Sequence, residues 1–309
     1  VVRALVIGAN GFIGSHLVDA MCDAGYDVTA FDRFSNGKRT FAATSVTEFI
    51  GDFLNRGDIE KAVKGQDFVF HFLSTTTPAT AQSDPSLDIR TNVEPTVQLL
   101  EACVDAGVQR FFYASTGGAI YGNQGLESYS ELDMPLPVSP YAIGKLTVEN
   151  YLRYFHATHD LSSVALRISN PYGSGQALHK KQGLIPIAIR RILNAQPVVQ
   201  MGDGSMVRDF IYIDDLIAMI LKIAAHTPNW PIYNLGSGRA ASVAEVIAAV
   251  GRATNRPVEL DIQPAPATFV RKVVLDISRY IEEFGAVSFS TLDEGILRTL
   301  EGSGENIGK

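Results

Sequence analysis

Cysteine is scarce in this chain of 309 residues: only Cys22 and Cys103 occur, too few for a disulfide framework or a cysteine-built metal cluster. Each falls in a stretch that reads as a buried helix face, so both are expected to be packed free thiols, with no metal site. Long apolar runs are absent as well. None approaches the roughly 20 residues that cross a bilayer, and the apolar start Val1 to Ile7 is too short for a secretory signal. A reduced, cytoplasmic setting with no membrane contact is the expectation. Positive charge is in deficit, with 26 Lys and Arg against 33 Asp and Glu and a net charge of −7. A chain without a basic surface does not hold a phosphate backbone nonspecifically, so nucleic acid is not an expected partner. A small anion stays open, because remote charge is screened beyond roughly 8 Å at physiological salt and a few local arginines outweigh it.

What is present suits an ordinary globular α/β protein, 46% hydrophobic and 19% charged. The length exceeds that at which one core stops growing, which predicts two lobes with one site between them. Short apolar runs at Ala4–Ile7, Val28–Phe31, Phe68–Phe72, Phe111–Ala114 and Val164–Ile168 lack in-out alternation, as strands buried on both faces should. Amphipathic stretches separate them, best defined at Gly14–Ala24, Asn92–Ala106 and Tyr141–His159, where apolar residues recur at spacings of three and four. This order predicts a doubly wound parallel sheet. After Pro171 shorter mixed elements take over, punctuated by prolines. The lobes are therefore expected at 1–170 and 171–309, with segments near 209–230 and 273–284 returning to the first.

The first strand runs into Gly8-Ala9-Asn10-Gly11-Phe12-Ile13-Gly14 and then a helix. Glycines at that turn let a pyrophosphate approach the helix N-terminus, where free N–H groups and the dipole favour anions. The second strand ends in Asp32, where a carboxylate can accept from both ribose hydroxyls and disfavours a 2′-phosphate. NAD is thus preferred over NADP, although Arg33, Lys38 and Arg39 leave NADP open.

Tyr141 and Lys145 stand at i and i+4 at the start of a helix and share one face. Chance supplies such a pair in about one protein in three, commonly at the surface. Position argues otherwise here, because the pair follows the strand and turn that carry Ser115, Thr116 and Gly117. A tyrosine with an ordinary pKa of about 10 is a poor base, but a cation within 4–6 Å lowers such a pKa by roughly 1–3 units. Lys145 and an oxidised nicotinamide would supply two cations, making Tyr141 a candidate general base for a hydroxyl whose carbon loses hydride.

With Gly51-Asp52-Phe53, Phe70-His71-Phe72-Leu73, Asn92-Val93, Ile120-Tyr121-Gly122, Arg167-Ile168-Ser169-Asn170-Pro171, Gly202-Asp203-Gly204 and Arg208-Asp209-Phe210-Ile211-Tyr212 in order, the chain resembles the extended short-chain dehydrogenase/reductase family, in its nucleotide-sugar epimerase/dehydratase branch. The resemblance runs from about Val2 to Tyr280. It implies a Rossmann-type NAD-binding lobe with a smaller mixed α/β substrate-binding lobe. It also implies that Phe12, Ile13, Arg33, Asn36 and Gly37 border the cofactor beside the glycine turn and Asp32. Asp52 and Phe53 would hold adenine, Phe72, Leu73 and Ser74 would line the pyrophosphate and nicotinamide ribose, and Asn92, Ser115, Tyr141 and Lys145 would complete the cofactor side. Asn170 and Arg208 would grip the diphosphate of a nucleotide sugar, a UDP-sugar being favoured, with Leu184 and Gln200 at its base and Arg271 as a further phosphate candidate. Two plainer readings stand beside these: Arg208 with Asp209 as a surface ion pair, and Asn170-Pro171 as a simple turn.

Departures from the family pattern carry information. Gly117 stands where the branch usually has Ser or Thr against the reacting sugar oxygen, so Thr116, or else Ser115, is expected to take that role beside Tyr141. Gly118-Ala119 stands where 4,6-dehydratases have Asp-Glu, which disfavours elimination. The expected reaction is epimerisation at C4 of a UDP-hexose. A dehydrogenase, decarboxylase or reductase of nucleotide sugars is the alternative, and a non-catalytic NAD-binding sensor the alternative of another class. The resemblance also implies a homodimer joined by the helices at Asn92–Ala106 and Tyr141–His159.

Overall fold

A computed structural model describes residues 1–35, 37–176, 183–265 and 270–302. The apolar runs of the first half form strands β1 (Arg3–Ile7), β2 (Asp27–Asp32), β3 (Val46–Ile50), β4 (Phe68–His71), β5 (Arg110–Thr116) and β6 (Ser163–Ile168). Beyond them lie β7 (Asn170–Tyr172), β8 (Val198–Met201), β9 (Val207–Tyr212), β10 (Ile232–Leu235), β11 (Ala240–Ser242), β12 (Leu260–Gln263) and β13 (Lys272–Val273). One sheet takes seven of these in the order β10-β6-β5-β4-β1-β2-β3. Its pairs from β3 to β5 are all parallel, the doubly wound arrangement expected. Edge strand β3 has no buried residue, and its Val-Thr-Glu-Phe-Ile carries none of the apolar continuity that marks the central strands.

Helices cover the sheet where the apolar spacing placed them. The helix Phe12–Asp23 follows β1 directly. Ser139, whose hydroxyl accepts from the Ala142 N–H at 3.3 Å, and Pro140 at the first helical position start the helix Pro140–His159, as the missing proline N–H costs nothing there. Tyr141 and Lys145 are thereby fixed in its first turns. The helix Glu94–Ala106 is preceded by a wider π-helical turn, Ile89–Val93. Pro95 explains the widening: it cannot donate to the carbonyl four residues back and its ring crowds that oxygen. Leu5, Phe31, Val69, Leu99, Phe111, Val148, Leu152 and Phe155 fill the layer between sheet and helices. A Phe111→Ala change there would cost about 3–5 kcal/mol.

The chain divides into two compact units, 1–120 with 137–167 and 220–233, and 121–136 with 168–219 and 234–309. The return to the first unit comes at 220–233, where β10 joins the sheet beside β6. The segment 273–284, expected to return, stays in the second unit. The reason is its pairing: Val273 lies opposite Arg208 in β9, and Tyr129 donates to the Val274 carbonyl and accepts from the Asp276 N–H. The second unit holds the mixed sheet β11-β9-β13, with β7 also on β9, and the parallel pair β8 and β12. Asp209, fully buried, ties it together by accepting from Ser237 N and Oγ, Gly238 N and Leu275 N at 2.8 to 3.2 Å.

Candidate active site

The glycine turn has the shape of a cradle for a phosphate-bearing group. Gly8 adopts φ +87°, and a Cβ there would lie 2.7 Å from the Leu73 nitrogen. A Cβ on Gly14 would lie 2.0 Å from the Gly8 carbonyl oxygen, so helix and turn pack at a distance no side chain permits. Gly11 caps the helix Phe12–Asp23 without a side-chain hydrogen bond, and Phe12 and Ile13 form its half-buried first turn. Asp32 reaches this turn: its carboxylate accepts from the Asn10 N–H at 3.0 Å and the Arg33 N–H at 2.8 Å. Arg33 itself is exposed, as is Gly37, and Asn36 lies outside the described residues.

Other expected cofactor residues divide into those that face outward and those that do not. Phe72, Leu73 and Ser74 follow β4 directly beside Gly8, half-buried to exposed. Asp52 is half-buried and caps its own turn by accepting from Leu54 N at 2.9 Å. The Phe53 side chain is 2% exposed and packs on His71 with ring centroids 4.8 Å apart. It therefore belongs to the core, and only its backbone can meet a ligand. Asn92 is also a correction. Its amide oxygen accepts from Thr75 N, and its nitrogen donates to Thr76 Oγ1 and Asp88 Oδ1, so it secures the loop at 75–76 and presents no free group.

At the end of β5 the serine and threonine part ways. Ser115 gives its hydroxyl proton to buried Glu149 at 2.5 Å, and Glu149 also holds Arg167 at 2.7 Å. That triad is packing machinery. Thr116, next in the chain and 8% exposed, makes no side-chain hydrogen bond among the described residues, and Gly117 opens the short helix Gly117–Ile120. Thr116 is thus the hydroxyl free to meet a ligand.

Lys145 is 7% exposed; its ammonium donates to the Ala114 carbonyl at 2.7 Å and lies 4.8 Å from the Tyr113 ring centroid and 5.6 Å from that of Tyr141. Burial pulls its pKa down to about 8, against the opposing pull of Asp88 and Glu149. Tyr141 is half-buried, and burial, helped by Asp88, pushes its hydroxyl up to about 12. The direction is opposite to that expected from Lys145. The physical reason is that loss of water on burial, and then the nearby Asp88 charge, both disfavour the phenolate.

In the second unit Asn170, Leu184, Met201, Met206, Arg208 and Phe210 are among the residues lining a pocket with roughly 650 Å³ of empty space, part of it open to solvent. Arg208 makes no ion pair among the described residues: its guanidinium donates at 2.7 Å to the carbonyls of Val207 and Val270. Burial pulls it down to about 10, so it stays charged at neutral pH. Asn170 donates to the Asp209 carbonyl at 2.8 Å, a cross-strand bond that a simple turn would not make. Gln200 does not line the pocket; it is 5% exposed and donates to the Gly202 carbonyl at 3.2 Å. Arg271 is exposed and also outside the lining. The methionines had no distinguishing sequence signal, and Phe210, although part of the motif that begins at Arg208, is not among the expected site residues.

No helix among the described residues is long and apolar enough to cross a membrane. The model of the NAD dependent epimerase/dehydratase family matches residues 4–236. Over 306 residues the chain is 31% identical to a UDP-glucose 4-epimerase of Mycolicibacterium smegmatis, covering 97% of each. A UDP-glucose 4-epimerase of Thermotoga maritima, solved with UDP-glucose, superposes with a TM-score of 0.91 at 32% identity, over 97% of this chain and 98% of that one. A UDP-glucose 4-epimerase of Thermus thermophilus, solved with NAD, gives 0.89 at 32% identity over the same shares.

Proposed function

The chain belongs to the NAD-dependent epimerase/dehydratase family, and from that premise we propose that it inverts C4 of a UDP-hexose through transient oxidation to the 4-keto sugar. The observation that carries this reading is the buried Lys145 ammonium, 5.6 Å from the Tyr141 ring and bonded to the Ala114 carbonyl of the strand that ends in Thr116, whose hydroxyl has no partner among the described residues. A tyrosine, a lysine and a hydroxyl at one strand end are the donors and acceptors that a sugar alcohol needs to lose and regain a proton.

The glycine turn, which has no room for a Cβ at Gly8 or Gly14, and the Asp32 carboxylate beside it fit NAD. Bound there, NAD would supply a reversible hydride acceptor for C4. Tyr141 accepts the proton of the C4 hydroxyl as that carbon is oxidised and returns it to the same oxygen on reduction. Lys145 sets the charge beside Tyr141, and Thr116 hydrogen-bonds the oxygen. Arg208, charged and without a carboxylate partner among the described residues, holds the diphosphate with Asn170, while Leu184 borders the base. A grip on the diphosphate with a loose hold on the sugar lets the ring turn its other face before reduction.

The similarity to UDP-glucose 4-epimerases along nearly the whole chain supports this reading. A homodimer is part of the proposal, through the outer face of the helix Pro140–His159, where Ile143, Tyr151 and Tyr154 are 50%, 38% and 53% exposed. The test is incubation of the protein, loaded with NAD, with UDP-glucose, UDP-galactose, UDP-N-acetylglucosamine and UDP-glucuronic acid, read by proton NMR. Interconversion at C4 is expected for at least one, with no net reduction of NAD. Failure with all four, or stoichiometric NADH, would overturn the reading.

A further inference from the structure

Asp88 ends the short helix Pro85–Asp88 and is 3% exposed. Its Oδ1 accepts from Thr76 Oγ1 at 2.5 Å and from Asn92 Nδ2 at 2.9 Å. Its Oδ2 lies against Gly144, where an added Cβ would come within 1.7 Å. Gly144 sits in the helical turn between Tyr141 and Lys145, so the carboxylate is seated on the backbone that carries both. Glycine inside a helix costs about 1 kcal/mol relative to alanine; contact with Asp88 accounts for its presence. Asp88 forms no ion pair among the described residues, although a carboxylate is rarely buried without one.

We propose that Asp88 is a positioning residue for proton transfer: a buried counter-charge, admitted by Gly144, that keeps Lys145 an ammonium and holds the proton on Tyr141. The inference rests on the role proposed above for Tyr141, but its test reads titration and not turnover, so either can fail alone. Asp88 raises the pKa of both groups, opposing burial at Lys145 and reinforcing it at Tyr141.

The other groups around the pair leave Asp88 as the uncompensated charge. Glu149, on the same helix, is neutralised by Arg167 of β6 at 2.7 Å. His71 of β4 is pushed down to about 3 by burial and by Lys145, so it is neutral. Tyr113 of β5 and Cys103 of the helix Glu94–Ala106 are pushed up by burial and carry no charge at neutral pH. Arg90 is exposed and paired with Asp84 at 3.0 Å, and Glu94 is exposed. Asp88 thus balances Lys145, and offsetting it takes a further positive charge next to Tyr141, which an oxidised nicotinamide carries.

The test is carbon NMR of the protein without added cofactor, with labelled tyrosine and lysine, the signals assigned by Tyr141→Phe and Lys145→Met. In Asp88→Asn the Lys145 midpoint, about 8 in the parent, is expected to fall by about one unit, with Tyr141 moving the same way. Thr76→Val removes a hydrogen bond but keeps the charge, and both midpoints should stay. If Asp88→Asn does not fold, Asp88→Ser, whose hydroxyl still accepts from Asn92, gives the same reading. Unchanged midpoints in a folded Asp88 variant, or equal shifts in Thr76→Val, would overturn the proposal.

Discussion

Arg208 and Asp209 are chain neighbours that make no pair. The guanidinium of Arg208 rests on the Val207 and Val270 carbonyls at the pocket, while the Asp209 carboxylate is caged by Ser237, Gly238 and Leu275. Successive residues of a strand point to opposite faces. One therefore lines the pocket without a carboxylate partner among the described residues, and the other is a structural tie.

Arg208→Ala should weaken binding of UDP about 10- to 100-fold, the scale of a lost charge-assisted hydrogen bond. Arg208→Lys should fall between, since an ammonium cannot make a two-pronged contact. Calorimetric titration with UDP measures both; equal affinity in all three proteins would remove Arg208 from the site.

Ser115 and Thr116 should separate stability from turnover. Ser115→Ala leaves buried Glu149 short of a donor and should cost about 1–3 kcal/mol in urea unfolding while changing kcat little. Thr116→Val should unfold at the same urea concentration and lose turnover. The reverse pattern would exchange their roles.

Tyr141→Phe should lower kcat by about 10²- to 10⁴-fold, the contribution of general acid–base catalysis, and leave NAD bound at its parent affinity. Retained turnover, measured by NMR of product, would reject Tyr141 as the base.

Lys145 makes stability depend on pH. Its pKa is near 8 in the folded protein and 10.5 as an ordinary side chain, so between those values the unfolded chain holds more protons and stability rises with pH. Below 8 the buried charge costs about 3 kcal/mol, at about 1.4 kcal/mol per unit. Above 10 the sign reverses, because Tyr141 keeps its proton to about 12 when folded. Lys145→Met, without cofactor, should be more stable than the parent at pH 7 and lose that advantage by pH 10. Chemical denaturation at both values decides it.

Tyr154 stands 53% exposed on the outer helix face. Tyr154→Glu should convert a dimer to monomers in sedimentation velocity; a parent that already sediments as a monomer would discard the interface.

The glycine turn, Asp32 and the Tyr141–Lys145 turn were legible because each is marked by residue types at short fixed spacings, and the buried central strands because their apolar runs are continuous. Edge strand β3 was not, since its Thr47 and Glu48 face solvent. Asn92 and Ser115 read as ligand contacts because a residue type does not reveal what its hydrogen bonds are spent on, and their partners Thr75, Thr76 and Glu149 arrive from distant segments. The lowered pKa expected of Tyr141 counted the cation and omitted dehydration, which only burial reveals. Asp88 left no signal, as its neighbour Gly144 looked like any helix glycine.

The chain passes from one compact unit to the other five times, at 120–121, 136–137, 167–168, 219–220 and 233–234. Neither unit is a genetic cassette. A single crossover between two related genes cannot exchange one unit whole, and proteolytic nicking at any one junction cannot release one. Altering either unit therefore calls for substitutions within the shared framework, such as those in the pocket around Arg208, and not for transplanting a contiguous lobe.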